Sequence, residues 1–137
     1  MKRSRLERKT PLRARVGLRR RPKRHAETSA EREARFAWHA VHQGWCSCGC
    51  NRFSMHLHWH HVLTKERLKR ENRHDLLWHP ANAMPLHPDC HERHTNHSRK
   101  IPIEFVPVEA MAFAVDVLGE GGAAAYFASH YNCEVTL

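Results

Sequence analysis

The spacing of apolar residues predicts a first helix that begins after Thr28 and ends near Gly44. Thr28 and Glu31 have the spacing of a capping box, in which each side chain binds the backbone of the other residue. Apolar residues then recur every three or four positions, the period of one helix face. This pattern indicates a packing helix, and its apolar positions are Ala30, Ala34, Phe36, Ala37, Ala40 and Val41.

The middle of the chain has a pattern typical of two strands followed by a helix. Residues 45–52 form a tight, cysteine-rich turn, and the alternation along residues 55–63 suits a strand. Residues 64–80 are mostly polar and predict a long connection with a helical turn. Residues 82–86 predict a second strand, and Pro88 suits the first turn of a helix. The predicted order is therefore strand, loop, strand, helix.

The C-terminal part of the chain predicts two helices that serve packing. The first spans residues 108–118, glycines at 119, 121 and 122 interrupt it, and a shorter helix covers residues 123–131. A length of 137 residues with 41% hydrophobic content fits one modest domain. No run of residues is apolar enough for a membrane span, and the basic start lacks the apolar stretch of a secretion signal. We therefore expect no membrane partner and a cytoplasmic location.

Positive charge is concentrated at the N-terminus. Residues 1–24 contain twelve Lys or Arg and one acid, so the remainder of a chain with net charge +9 is slightly acidic. Such a dense block of like charge predicts a disordered arm over residues 1–25 that binds phosphates without sequence preference. A merely solubilising tail is the alternative. The arm includes Arg19, Arg20 and Arg21, and Lys69 and Arg70 in the long connection are further candidates for phosphate contact.

The cysteines predict a structural zinc site. His87 and Cys90 are separated by two residues, the spacing at which a tight turn presents two ligands to one ion. Cys46, Cys48 and Cys50 supply candidates for the other two ligands, and the sequence leaves open which of them bind. The ion would link the cysteine-rich turn to the second strand, which benefits a small domain. Buried free thiols are the alternative.

Histidine is the most over-represented residue, with fourteen in the chain and ten between residues 56 and 97. His60 and His61 are adjacent in a predicted strand, so their side chains point in opposite directions. One of them can bind a metal while the other faces a different partner. His91 lies at the start of the predicted helix, and His94 follows on the same side.

At these residues the chain resembles a known family. The pair His60-His61, followed by residues 82–91 (NAMPLHPDCH), resembles the HNH nucleases of the ββα-metal fold. The wider pattern is similar to HNH endonucleases encoded by bacteriophages. The motif covers residues 46–97, a little over a third of the chain. Three features depart from the family pattern: a histidine at 87 where a cysteine is usual, a first knuckle compressed to cysteines at alternate positions, and Thr95 where some members have a further histidine.

The resemblance implies a role for each of these residues. His61 would be the general base that activates water for attack on a phosphodiester, and Asn82 would brace the loop that carries it. His60 and His91, with His94 as a further ligand, would hold one divalent cation: Mg, Mn, Ni or Zn. The cation would stabilise the negative charge of the phosphate and the departing oxygen.

The sequence therefore predicts a small α+β domain with a ββα-metal (His-Me finger) core, a zinc knuckle and flanking helices. The nuclease domain would span residues 26–106, and residues 107–137 would pack on it as a helical extension. Its expected activity is metal-dependent cleavage of DNA, as nicks or double-strand breaks. The resemblance to phage-encoded enzymes implies a role in phage DNA packaging or recombination within the host cytoplasm. Besides DNA, the expected partners are a second copy of the chain or phage packaging proteins. The alternatives are a non-catalytic, zinc-dependent DNA-binding module and a histidine-rich protein that sequesters metal.

Overall fold

A computed structural model of the chain describes residues 26–40 and 43–134. The predicted basic arm, with Arg19, Arg20 and Arg21, lies outside these residues. The described part is a mixed α+β structure with two small antiparallel sheets. Its regular elements are α1 (Ser29–Trp38), β1 (Gly44–Trp45), β2 (Phe53–Ser54), β3 (His58–His61), α2 (Lys65–Arg70), β4 (Ala83–Leu86), α3 (Pro88–Thr95) and α4 (Val108–His130).

Helix α1 begins as predicted and ends earlier. The Thr28 hydroxyl accepts from the backbone N–H of Glu31, and the Glu31 carboxylate accepts from that of Thr28, so the capping box is confirmed. The helix ends at Trp38 and not near Gly44. Gly44 cannot cap this helix because it begins β1 and pairs with Ser54 of β2.

The predicted strand–loop–strand–helix order is confirmed for the middle of the chain. Strands β3 and β4 pair antiparallel, with His60 opposite Met84 and His61 opposite Ala83. Strand β3 is shorter than predicted, because the backbone after His61 bonds to Asn82 and not to a strand. The connection between the strands contains more helix than predicted: α2, capped by Thr64, and two short 3-10 helices at His74–Leu76 and Pro80–Asn82.

The C-terminal helix α4 packs on the β3–β4 pair. Its axis is interrupted at Gly119, whose φ of 72° and ψ of 165° lie outside the helical region, so the predicted break is confirmed. Buried side chains from both halves of α4 form one cluster with side chains of β4 and of the segment that follows β3. This core includes Val62, Leu63, Leu68, Met84, Leu86, Phe113, Ala114, Ala123, Tyr126, Phe127 and Tyr131.

No helix in the described ranges, 26–40 and 43–134, is both long and apolar enough to cross a membrane.

Candidate functional site

Four cysteines come together where the β1–β2 turn meets the start of α3. Cys46, Cys48 and Cys50 lie in the turn, and Cys90 lies in the first turns of the helix. All four sulfurs lie within 4.8 Å of one another. The Cys46 and Cys48 sulfurs are 3.3 Å apart, and those of Cys50 and Cys90 are 3.6 Å apart. The cluster could therefore hold a metal ion.

The donor set of this cysteine cluster fits zinc. Zinc takes four ligands at tetrahedral corners with Zn–S bonds of about 2.3 Å, which places neighbouring sulfurs about 3.8 Å apart. The observed separations are close to this spacing. Burial raises the pKa of the Cys90 thiol to about 11, and a bound cation would offset that cost by stabilising the thiolate.

Backbone contacts shape the turn that carries the first three cysteines. Gly49 has a φ of 79°, and a Cβ at this position would collide with the ring of Phe105. Glycine is therefore required here both for its conformation and for its small size. The N–H of Ser47 donates to the carbonyl of Pro85 in β4, which fixes the turn against the second strand.

The structure places His87 outside the four-sulfur group, in contrast to the prediction that it supplies a zinc ligand. Its Nδ1 accepts a hydrogen bond from the backbone N–H of Asp89 at 3.3 Å, which caps α3. The imidazole is thus occupied as a helix cap, and Cys46, Cys48 and Cys50 all join Cys90 instead. The backbone N–H of His87 still contributes, because it donates to the Cys46 sulfur at 3.2 Å.

His60 is buried beneath α3 and the end of α4. Its Nε2 lies 3.1 Å from the hydroxyl of Tyr131, and that hydroxyl donates to the carbonyl of Val62 at 3.3 Å. When the Tyr131 hydroxyl donates to Val62, it accepts from Nε2–H of His60. The imidazole then keeps its lone pair on Nδ1, the atom that could bind a cation.

His91 and His94 approach His60 from α3, with ring centroids 5.4 and 4.8 Å from that of His60. Nδ1 of His94 accepts from the backbone N–H of Ile101 at 3.2 Å. A neutral His94 therefore carries its proton on Nε2 and has no lone pair left for a metal, so its hydrogen bonding does not support the predicted ligand role. Within the described ranges, the histidine donor atoms do not converge as the four cysteine sulfurs do.

His91 borders an open cleft. The cleft has a volume of about 600 Å³, and His58, the first residue of β3, lines it. The rings of His58 and His91 are 5.5 Å apart between centroids. A ligand in the cleft could therefore reach His91 from solvent, while His60 stays covered.

His61 lies on the opposite face of β3 from His60, as alternation predicts. Its ring packs against Trp38 and Trp78, with centroids 4.3 and 4.9 Å away. Its Nε2 donates to the carbonyl of Leu77 at 2.9 Å, which leaves the lone pair on Nδ1. Burial, and then the charge of Lys65, lower the pKa of His61 to about 4, so the ring is neutral at pH 7. A neutral imidazole with a free lone pair can accept a proton.

Asn82 is fully buried and holds the backbone that follows His61. Its Oδ1 accepts from the N–H of Leu63 at 2.7 Å, and its Nδ2 donates to the carbonyl of Leu63 at 2.9 Å. The carbonyl of Asn82 also accepts from the N–H of Val62. These bonds fix the exit of β3 and thereby the direction of the His61 side chain.

The basic candidates in the described part of the chain lie on α2. Lys69 and Arg70 are exposed in its last turn, whereas Arg67 forms an ion pair with Glu71 at 2.9 Å. The exposed pair is available to contact a phosphate.

Two tyrosines at the C-terminal end of α4, Tyr126 within it and Tyr131 as its cap, contact the site without having been predicted to do so. Tyr126 donates to the carbonyl of Val62 and accepts from the N–H of Thr64, so both tyrosines bind the backbone beyond His61. The sequence gives only a weak indication of this role. The chain contains two tyrosines, and both lie at the end of a helix that the sequence assigned to packing. Buried tyrosines usually find a hydrogen-bond partner.

Comparison with known proteins finds no matching family model, no matching curated protein and no matching solved structure.

Proposed function

We propose that the chain is a metal-dependent DNA endonuclease of the HNH type with a ββα-metal core. The observation that carries the proposal is the placement of His60 and His61 on opposite faces of β3. His60 faces α3 and His91, and His61 faces Trp38 and Trp78 with its Nδ1 lone pair not used by the bond to Leu77. Asn82 joins the two strands directly behind them.

In this proposal His61 accepts the proton of the attacking water through Nδ1. The Leu77 carbonyl holds the ring by its Nε2–H, so the accepting atom is fixed before substrate binds. A pKa of about 4 keeps His61 neutral over the physiological range, ready to accept a proton but only weakly basic. A scissile phosphate close to the ring would raise this pKa, because negative charge favours the protonated form.

His60 and His91 are the proposed ligands of the catalytic cation. His60 offers Nδ1, and Tyr131 orients its ring through Nε2–H. When bound, a divalent cation supplies Lewis-acid stabilisation of the phosphate and the leaving oxygen.

The basic arm and α2 are the proposed contacts to DNA. The arm has a dense positive charge, and Lys69 and Arg70 are exposed on α2, within the connection between β3 and β4. Contacts of this kind position a duplex by its phosphates and carry no sequence information. The proposed partner is therefore DNA with weak sequence preference. A second copy of the chain would supply the second active site for double-strand cleavage.

One observation favours a second candidate, a zinc-dependent DNA-binding module without catalysis. The cysteine donors converge on a point where an ion could sit, whereas the imidazole nitrogens in the described part of the chain do not. In such a module the zinc cluster and the basic residues would serve binding, and the histidines would serve packing. This candidate requires no free lone pair on His61.

The two candidates are separated by a nicking assay on supercoiled plasmid with Mg²⁺, Mn²⁺, Ni²⁺ or Zn²⁺. The endonuclease predicts nicking by the wild-type protein and a loss of at least roughly 100-fold in His61→Ala, the scale of a general base. His56→Ala is the matched control, since His56 is an exposed histidine outside the site. Absence of nicking with every ion, with DNA binding intact, would favour the binding module. Equal nicking by wild type and His61→Ala would contradict the assigned base.

A further inference from the structure

Three tryptophans enclose a cavity beside His61. The cavity has a volume of about 300 Å³ and lies between α1, β3 and the segment before β4. Trp38, Trp59 and Trp78 line it, together with small side chains from α1 and β4. The ring centroids of Trp59 and Trp78 lie 5.7 and 5.3 Å from that of Trp38. Neither the zinc cluster nor the proposed cation ligands use this cavity.

The walls of the cavity offer aromatic surfaces. The three indole rings meet at tilted or edge-on angles, with Trp38 only 6% exposed among them. A ligand with a planar aromatic face would gain stacking or edge-to-face contacts with these rings. A purely aliphatic ligand would make no such contacts.

Two side chains beside the cavity could interact with the phosphate of a bound ligand. Lys65 places its Nζ 4.2 Å from the ring centroid of Trp78, so a positive charge lies beside an aromatic wall. The ring of His61, the proposed base, packs on both Trp38 and Trp78. An aromatic ligand that carries a phosphate would therefore place its charge near Lys65 and its ring among the tryptophans.

We propose that this cavity is a binding site for an unpaired nucleobase of a nucleic-acid chain. Nucleobases have a planar face and, in a nucleic-acid chain, a neighbouring phosphate. Stacking of bases on aromatic side chains is a common source of affinity for single strands. A base inside a duplex is accessible in this way only if it leaves the stack, which costs least at a mismatch or in a single strand. The proposal rests on the proposed function for the identity of the ligand, and it predicts a preference for DNA with an unpaired base.

The test measures binding separately from cleavage. Quenching of tryptophan fluorescence is titrated with a short oligothymidylate and with an abasic oligonucleotide of the same length and charge, without added divalent ion. Gel analysis checks that each strand remains intact. The proposal predicts that the abasic strand binds about tenfold or more weakly, the scale of base–aromatic stacking. Equal affinity for the two strands would overturn it.

Two variants assign the effect to this cavity. Ala34→Leu fills space from α1, and Trp59→Ala removes one wall; each should reduce the difference between the two strands to less than about threefold. Trp45→Ala is the matched control, because Trp45 is 66% exposed on β1 and does not line the cavity. Thermal unfolding of each variant verifies its fold. An unchanged preference in folded Ala34→Leu would mean that another segment of the chain fills the cavity or that the base binds elsewhere, and would also overturn the proposal.

The same experiments separate this inference from the proposed nuclease activity. Base-dependent binding without nicking would retain the pocket and reject the endonuclease. Nicking without any difference between the two strands would retain the endonuclease and reject the pocket. A mismatched duplex should bind more tightly than a fully paired duplex of the same length if the pocket accepts an extruded base.

Discussion

At the scale of single residues, the hydroxyl of Tyr131 is the hydrogen-bond partner of Nε2 of His60. When this hydroxyl donates its own proton to the Val62 carbonyl, it accepts from Nε2–H of His60 and leaves Nδ1 for a cation. Partners of this kind orient a metal-binding imidazole and fix its tautomer. The C-terminal helix thus contributes to the proposed cation site as well as to the core.

Tyr131→Phe should therefore weaken binding of the catalytic cation by roughly 10–100-fold, the scale of losing a partner to a metal ligand. Isothermal titration with Mn²⁺ or Ni²⁺ on zinc-loaded protein measures the affinity. Tyr126→Phe is the matched control, because its hydroxyl binds the same Val62 carbonyl but is not bonded to His60. A similar loss of affinity in both variants would indicate a general effect on packing and would contradict the assigned role of Tyr131.

At the scale of elements, Asn82 connects the end of β3 to the start of β4. Its amide satisfies both the N–H and the carbonyl of Leu63, which would otherwise be buried without partners. Asn82 itself is fully buried. One side chain thus replaces the ladder hydrogen bonds that β3 would have made had it continued.

Asn82→Ala should lower the free energy of unfolding by about 2–4 kcal/mol, because two buried backbone groups lose their partners. Urea denaturation measures this change. The control is Asn96→Ala at the exposed end of α3. This variant loses only the solvent-accessible hydrogen bond from the Ser98 N–H to the Asn96 side chain, so a change in the free energy of unfolding within about 0.5 kcal/mol is expected. If nicking falls far more than the folded fraction does, Asn82 also positions His61. A change no larger than that of Asn96→Ala would contradict the bracing role.

The sequence predicted elements well where local chemistry decides them. The Thr28 capping box, the second strand and the break at Gly119 depend mainly on neighbouring residues, and all three appear in the structure, the strand at Ala83–Leu86 where residues 82–86 were predicted. The end of α1 and the length of β3 depend on strand pairing and on Asn82, which lies 21 residues beyond His61. Such contacts between distant residues leave no periodic signal in the chain.

Contacts between distant residues also explain why the candidate site could be predicted only in part. The grouping of Cys90 with the turn cysteines could be anticipated from their types, but the exclusion of His87 depends on its role as a helix cap. The tautomer of His60 depends on Tyr131, which is distant in sequence. The tautomer of His94 depends on Ile101, which lies beyond the end of α3. Residue types therefore indicated the chemistry, and tertiary contacts determined which atoms are free to perform it.

At the scale of the whole molecule, the cysteine cluster links the β1–β2 hairpin to α3. The β1–β2 turn has few other buried side chains, and Trp45 and Phe53 of that hairpin are both exposed. A two-stranded hairpin is marginally stable by itself. An ion bound by the four sulfurs would therefore stabilise the hairpin and the start of α3 together, at a place where apolar burial is limited.

Zinc-loaded protein should accordingly contain one tightly bound ion per chain that depends on Cys90, and its removal should lower the melting temperature. Metal analysis after dialysis and thermal unfolding with and without a chelator measure both effects. Cys90→Ser should lose this ion and unfold at the temperature of the chelated wild type, since a ligand of the tetrahedral site is gone. Cys133→Ser is the matched control, because Cys133 is exposed and lies outside the cluster. Equal zinc content in both variants would contradict a four-cysteine site, and an unchanged melting temperature on chelation would show that the ion does not hold the fold.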